Sequence, residues 1–157
     1  MKLTDVLECR TGLAAYVSAL GYGFLIAYLA SASAEIATVF VAAIFANLLA
    51  GKIDSVAHWL GFVAFLAVFF VLGIPAFNIG FLCAFVFAAY ADEYIHEFVS
   101  RKKVHLSKAI LELRPILPLF ALVVSFVSGV WTYFAAIILF DLGYLLAQAA
   151  FKSQLKV

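Results

Sequence analysis

Three apolar blocks, Thr11–Ala50, Ala57–Ala91 and Pro115–Phe151, make up most of this chain of 157 residues. A membrane-crossing α-helix needs about 20 apolar residues, so each block is too long for one crossing and long enough for two. Each also holds a breaker near its middle. The first has Ser31 to Glu35, where Ser33 suits a helix cap and Glu35 the first turn behind it. The second has Gly73, Ile74 and Pro75, then Asn78; the third has Ser128 and Gly129, followed by Trp131 and Tyr133, which suit a membrane interface. The blocks therefore predict an all-α, polytopic transmembrane bundle, a single domain over residues 1–157. Six helices are expected, at about 11–30, 34–50, 57–74, 76–91, 115–129 and 131–151, arranged as three hairpins with a loop over 92–114. Helices two, four and five are short for a bilayer and call for local thinning or for burial of an end inside protein.

Composition supports this. Hydrophobic residues are 68% and charged residues 12%, with a mean hydropathy of +1.16. A soluble domain runs near 45–50% apolar and about 25% charged. Such an excess cannot be covered by polar surface, which excludes a soluble enzyme, a disordered chain and a nucleic-acid module. Unbroken apolar stretches also speak against a β-barrel, whose strands alternate. Cys9 and Cys83 give no disulfide framework. Ala32, Ser33 and Ala34 resemble a signal-cleavage site, but the apolar run before them exceeds the usual 7–15 residues and the leader has mixed charge, so a retained helix is expected.

Charge placement tests the span count independently. With six spans, one side holds the N-terminal segment, 51–56, 92–114 and the C-terminal tail. All ten Lys and Arg residues lie there: Lys2, Arg10, Lys52, Arg101, Lys102, Lys103, Lys108, Arg114, Lys152 and Lys156. Cytoplasmic loops collect such residues, so both termini are expected in the cytoplasm of a cell-membrane protein. Residues 106–113 form a candidate amphipathic segment for the anionic inner leaflet.

Packing and chemistry are carried by few residues. Ala15, Ala19, Gly23 and Ala27 recur every four residues, which lets helix backbones approach closely. Pro115 and Pro118 fall in the first turn of helix five, where missing N–H groups are tolerated. Asp54 and His58 are spaced i, i+4, as are Asp92 and His96, with Glu93 and Glu97 beside them. If the middle hairpin brings these sets together, Asp54, His58, Asp92, Glu93 and His96 make a divalent-metal site. Asp54 is alternatively the cap of helix three, and the acids at 92–97 alternatively belong to a helix that runs on into water. Arg114 is a candidate phosphate ligand and Asn47 a further polar group at the same level. Asp141 lies near the middle of helix six, with Tyr144 and Gln148 further along and Ser125 at similar depth. An acid at bilayer depth costs about 2.5–3.5 kcal/mol or more, and is a functional candidate by default.

The acids at cytoplasmic helix ends are placed as in intramembrane prenyltransferases and CDP-alcohol phosphotransferases, and in that respect the chain resembles them. Such a likeness implies Mg²⁺ and a pyrophosphate-linked substrate. It is a likeness of placement, not of motif: His58 and His96 stand where prenyltransferases carry a second Asp, and the multi-Asp signature of the phosphotransferases is absent. Three functions follow as expectations. One is a metal-dependent enzyme on a lipid-linked or phosphorylated substrate. The second is a small transporter or channel component using Asp141. The third is a structural or assembly subunit. Membrane lipids are the expected partners, with a homo-oligomer or membrane complex as further options and no nucleic acid.

Overall fold

The computed structural model describes residues 12–101 and 115–154. They form six helices and, among the described residues, no strand: α1 Gly12–Ala32, α2 Ala34–Leu49, α3 Val56–Leu72, α4 Ile79–Arg101, α5 Ile116–Ser128 and α6 Thr132–Gln154. The breakers fall where the sequence places them. Ser33 caps α2, accepting from Ile36 N at 3.3 Å. α3 stops at Gly73 (φ 98°) and α5 at Gly129 (φ 72°), backbone conformations that favour glycine. The largest boundary difference is α4, which continues through Arg101 where a loop from 92 is expected. Two helices hold windows long and apolar enough to cross a membrane, Ala15–Ala32 and Ile79–Phe98. α2, α3, α5 and the Thr132–Gly143 part of α6 are shorter apolar segments.

The first and third hairpins pack as pairs, but the middle one does not. α3 lies against α1, and α4 lies against α2, so α3 and α4 do not pack along their lengths. α2, α4, α5 and α6 close a four-helix ring, with α1 beside α2, and α3 along α1 with Phe65 and Phe69 reaching Ala37 and Val41 of α2. The ring core joins Val39 and Ala42, Phe85, Ala121 and Val124, and Tyr133 and Ile137. Tyr133 is therefore an inner residue, stacked on Phe85 with ring centroids 5.5 Å apart, and not the interfacial group that its neighbour Trp131 suggests; Trp131 is exposed.

The small-residue stripe of α1 is buried as expected, and α3 answers it with Ala57, Gly61 and Ala64. The helices touch backbone to backbone there: a Cβ built on Gly23 would collide with the Gly61 carbonyl oxygen and lie 3.1 Å from Ala64 Cβ. Burial is inverted relative to a water-soluble protein. Alanine dominates the buried set and no described leucine belongs to it, while Phe70, Val71, Phe87, Phe126 and Val127 are all at least 65% exposed.

Each helix from α2 to α6 has a side-chain acceptor at its N-terminus. Ser55, rather than Asp54, caps α3 by accepting from His58 N. Asn78 Oδ1 accepts from Phe81 N at the start of α4. The last two caps come from other helices: Asp92 of α4 serves α5, and Ser125 of α5 accepts from Phe134 N of α6. Where water is excluded, free helix-end N–H groups have to be satisfied from within the protein.

Candidate functional site

Along α4 the face that packs the ring core through Phe85, Ala88 and Ala89 continues to Asp92 and Glu93. Residues at i, i+4, i+7 and i+8 share a helical face, so the two carboxylates are carried inward with the aromatic core. Both are buried, at 5% and 4% exposure. Asp92 binds the start of α5 with both oxygens: Ile116 N donates to Oδ1 at 3.3 Å and Leu117 N to Oδ2 at 3.2 Å. Its charge thus meets two N–H donors and the positive end of a helix dipole. α5 has no cap of its own, because Pro115 enters in helical conformation (φ −77°, ψ −14°) without a side-chain acceptor.

Beside this contact a cleft of about 100 Å³ opens between α2, α4, α5 and α6. Asn47, Asp92, Glu93, Pro118 and Asp141 line it, with Phe40 and Phe140 as an apolar wall whose rings meet edge to face at 5.5 Å. The volume admits several waters. Asn47 Nδ2 also donates to Ala43 O at 2.9 Å. Two groups separate in the sequence, the acids of helix four and the acid of helix six, are therefore walls of one cleft.

The other predicted ligands lie elsewhere. His58 Nδ1 is 3.1 Å from Asp54 Oδ1, with His58 buried and the Asp54 side chain 75% exposed. The His58 hydrogen bond, helped by the residue's own backbone, holds the Asp54 carboxyl below the ordinary aspartate range. α3 packs along α1 and not along α4, and neither Asp54 nor His58 lines the cleft that holds Asp92. Among the described residues no three His, Cys, Asp or Glu side chains are grouped to hold a metal ion, so Asp54, His58, Asp92, Glu93 and His96 do not form one ligand set. His96 is half-buried and outside the cleft lining. Arg114 lies outside the described residues, as do Cys9, His105 and segment 106–113; the side chains of Tyr144 and Gln148 are also outside them.

Sequence reasoning missed the bond from Asp92 to α5. Two prolines at the start of a helix that lacks a Ser, Thr, Asp or Asn cap were the available signal. Among the described residues, fold and cleft together define an all-helical arrangement of six helices, two of them long and apolar enough to cross a membrane, with an acidic cleft inside a four-helix ring. No family model, no curated protein and no solved structure matches the chain.

Proposed function

We propose that this chain is a six-span membrane protein with both termini cytoplasmic, working as a small transporter or channel component that takes up protons in its acidic cleft. The observation carrying the proposal is that Asp141 lines the same cleft as Asp92, Glu93 and Asn47. Asp92 already accepts from two N–H groups at the α5 N-terminus. A carboxylic acid at bilayer depth beside a space that admits water is suited to taking up and passing on a proton.

Membrane residence is supported by the inverted burial, in which small residues sit between helices and large apolar ones face outward, as helix packing in lipid favours. Only 28% of each span-length window is buried, whereas a core helix of a soluble protein is mostly covered. The one-sided Lys and Arg distribution supports the orientation. The metal-enzyme alternative lacks its ligand set among the described residues. An assembly subunit is favoured by one observation, the use of Asp92 as a helix cap, and the same experiment separates it.

The test is proton uptake by vesicles containing purified protein and an internal pH-sensitive dye, driven by an imposed potential. Wild type is expected to exceed empty vesicles and Asp141→Asn to abolish the excess without loss of thermal stability. Equal flux in Asp141→Asn, or none in wild type, overturns the transport reading. For topology, single cysteines at positions 77 and 130 are expected to label from outside cells. One at 52 is expected to label only after permeabilisation.

A further inference from the structure

A second concavity lies on the outer surface between α2 and α4. Phe45 and Leu49 form one wall and Leu82, Val86, Phe87 and Tyr90 the other, around a groove of about 390 Å³ with almost no polar surface. It has a charged end. On α4 the sequence 83, 87, 90, 94, 97 follows one helical face, so Glu97 stands two turns beyond Tyr90 in line with the groove. On α2 the chain closes in a Schellman turn: Gly51 N donates to Leu48 O, Lys52 N to Asn47 O, and Gly51 takes φ 65°. That turn fixes Lys52 over the same end, with Nζ 4.0 Å from Glu97 Oε2 and both side chains partly exposed.

We propose that this groove binds one acyl chain of a zwitterionic phospholipid bearing a primary ammonium, with the headgroup on the Lys52–Glu97 pair. The proposal rests on the membrane reading above. In that reading the groove faces hydrocarbon, and its walls are almost wholly apolar. Lys52 matches the lipid phosphate, and Glu97 matches an ammonium that donates hydrogen bonds. A lipid without a cation leaves Glu97 facing phosphate. A quaternary ammonium brings charge without N–H donors.

Native mass spectrometry of protein purified from bilayers of phosphatidylethanolamine, phosphatidylcholine and phosphatidylglycerol tests it. Phosphatidylethanolamine adducts are expected about two- to fivefold above the others, the scale of an exposed ion pair. Glu97→Gln should equalise phosphatidylethanolamine and phosphatidylcholine, and Lys52→Gln should weaken both. Cys83→Trp, at an exposed position on the groove wall, should remove the adducts while the protein stays folded. Equal adducts of all three lipids in wild type, unchanged adducts in Cys83→Trp, or dimers of this chain in place of adducts overturn the proposal. Alkaline carbonate washing of the same membranes separates the two failures. Release of the protein overturns the membrane reading itself, whereas retained protein without adducts overturns only the groove.

Discussion

Removing the Asp92 carboxylate should destabilise the protein by about 2–4 kcal/mol, and the figure follows from counting donors. A helix start leaves four N–H groups without intrahelical partners. At α5 two of these are absent, because Pro115 and Pro118 have no N–H. Leu119 N already bonds Pro115 O at 3.0 Å. Ile116 and Leu117 remain, and Asp92 takes one with each oxygen. An unsatisfied buried donor costs about 1–3 kcal/mol, and both residues are only half-buried, so the lower half of the doubled range applies to Asp92→Ala. Asp92→Asn keeps the shape and one acceptor oxygen but turns an amide NH₂ toward the second donor, for a loss of about 1–2 kcal/mol. Thermal unfolding in one detergent should therefore rank wild type above Asn and Asn above Ala. An Ala variant within about 0.5 kcal/mol of wild type, or an Asn variant as damaging as Ala, refutes the assignment of a two-donor cap.

Three further outcomes are expected. Gly23→Ala should lose about 1–3 kcal/mol in thermal unfolding, because its methyl meets the Gly61 backbone; Gly21→Ala, with open space around it, should be neutral or gain up to about 1 kcal/mol. Ser125→Ala should cost about 1 kcal/mol by leaving Phe134 N without its acceptor, and faster amide exchange at Phe134 would show it directly. The depressed Asp54 carboxyl contributes stability that is present above the ordinary aspartate value and lost as pH falls through the lower folded one. The gap between unfolding curves of wild type and Asp54→Asn should begin to close as pH falls below about 4 and vanish below the lowered folded value, and a constant gap from neutral to acid pH would refute the pairing with His58.

The six described helices and their breaks were legible because they depend on local rules. Ser33, Gly73 and Gly129 act within a turn of themselves, and the α1 small-residue stripe declares a close contact by its spacing alone. The partner of that stripe was not legible, since Ala57, Gly61 and Ala64 answer it from a helix two elements later. The same gap explains the candidate site. Adjacent helices in sequence suggested that α3 and α4 would meet, which would have joined Asp54 and His58 to Asp92. Lateral order in a bundle is set instead by which faces fit, and the α1–α3 backbone contact draws α3 away from α4. Asp141 was singled out by the cost of an acid at bilayer depth and Asp92 and Glu93 by their spacing, and both arguments selected residues that line the cleft. Neither gave information about which of them share it.

The length of α5 explains why the cleft lies where it does. Its 13 residues give about 20 Å of helix, while the 23 residues of α6 give about 35 Å. The two are antiparallel neighbours joined at Gly129, so α6 runs on past the start of α5. A longer α5 would cover that stretch of α6 and fill the space against α4. Pro115 and Pro118 set the start of α5, and Asp92 makes it tolerable by taking the two free donors. Asp141 is ten residues into α6, level with the first turn of α5, and Pro118 lines the cleft beside it. In the proposed bilayer, whose hydrocarbon is about 30 Å thick, this start falls below the membrane surface. Water entering from the charged end would then meet Asp141 without crossing the aromatic core of Phe85, Phe120 and Tyr133. In the proposed transporter, the same prolines that cut α5 short would thus open the path by which the mid-helix acid is reached.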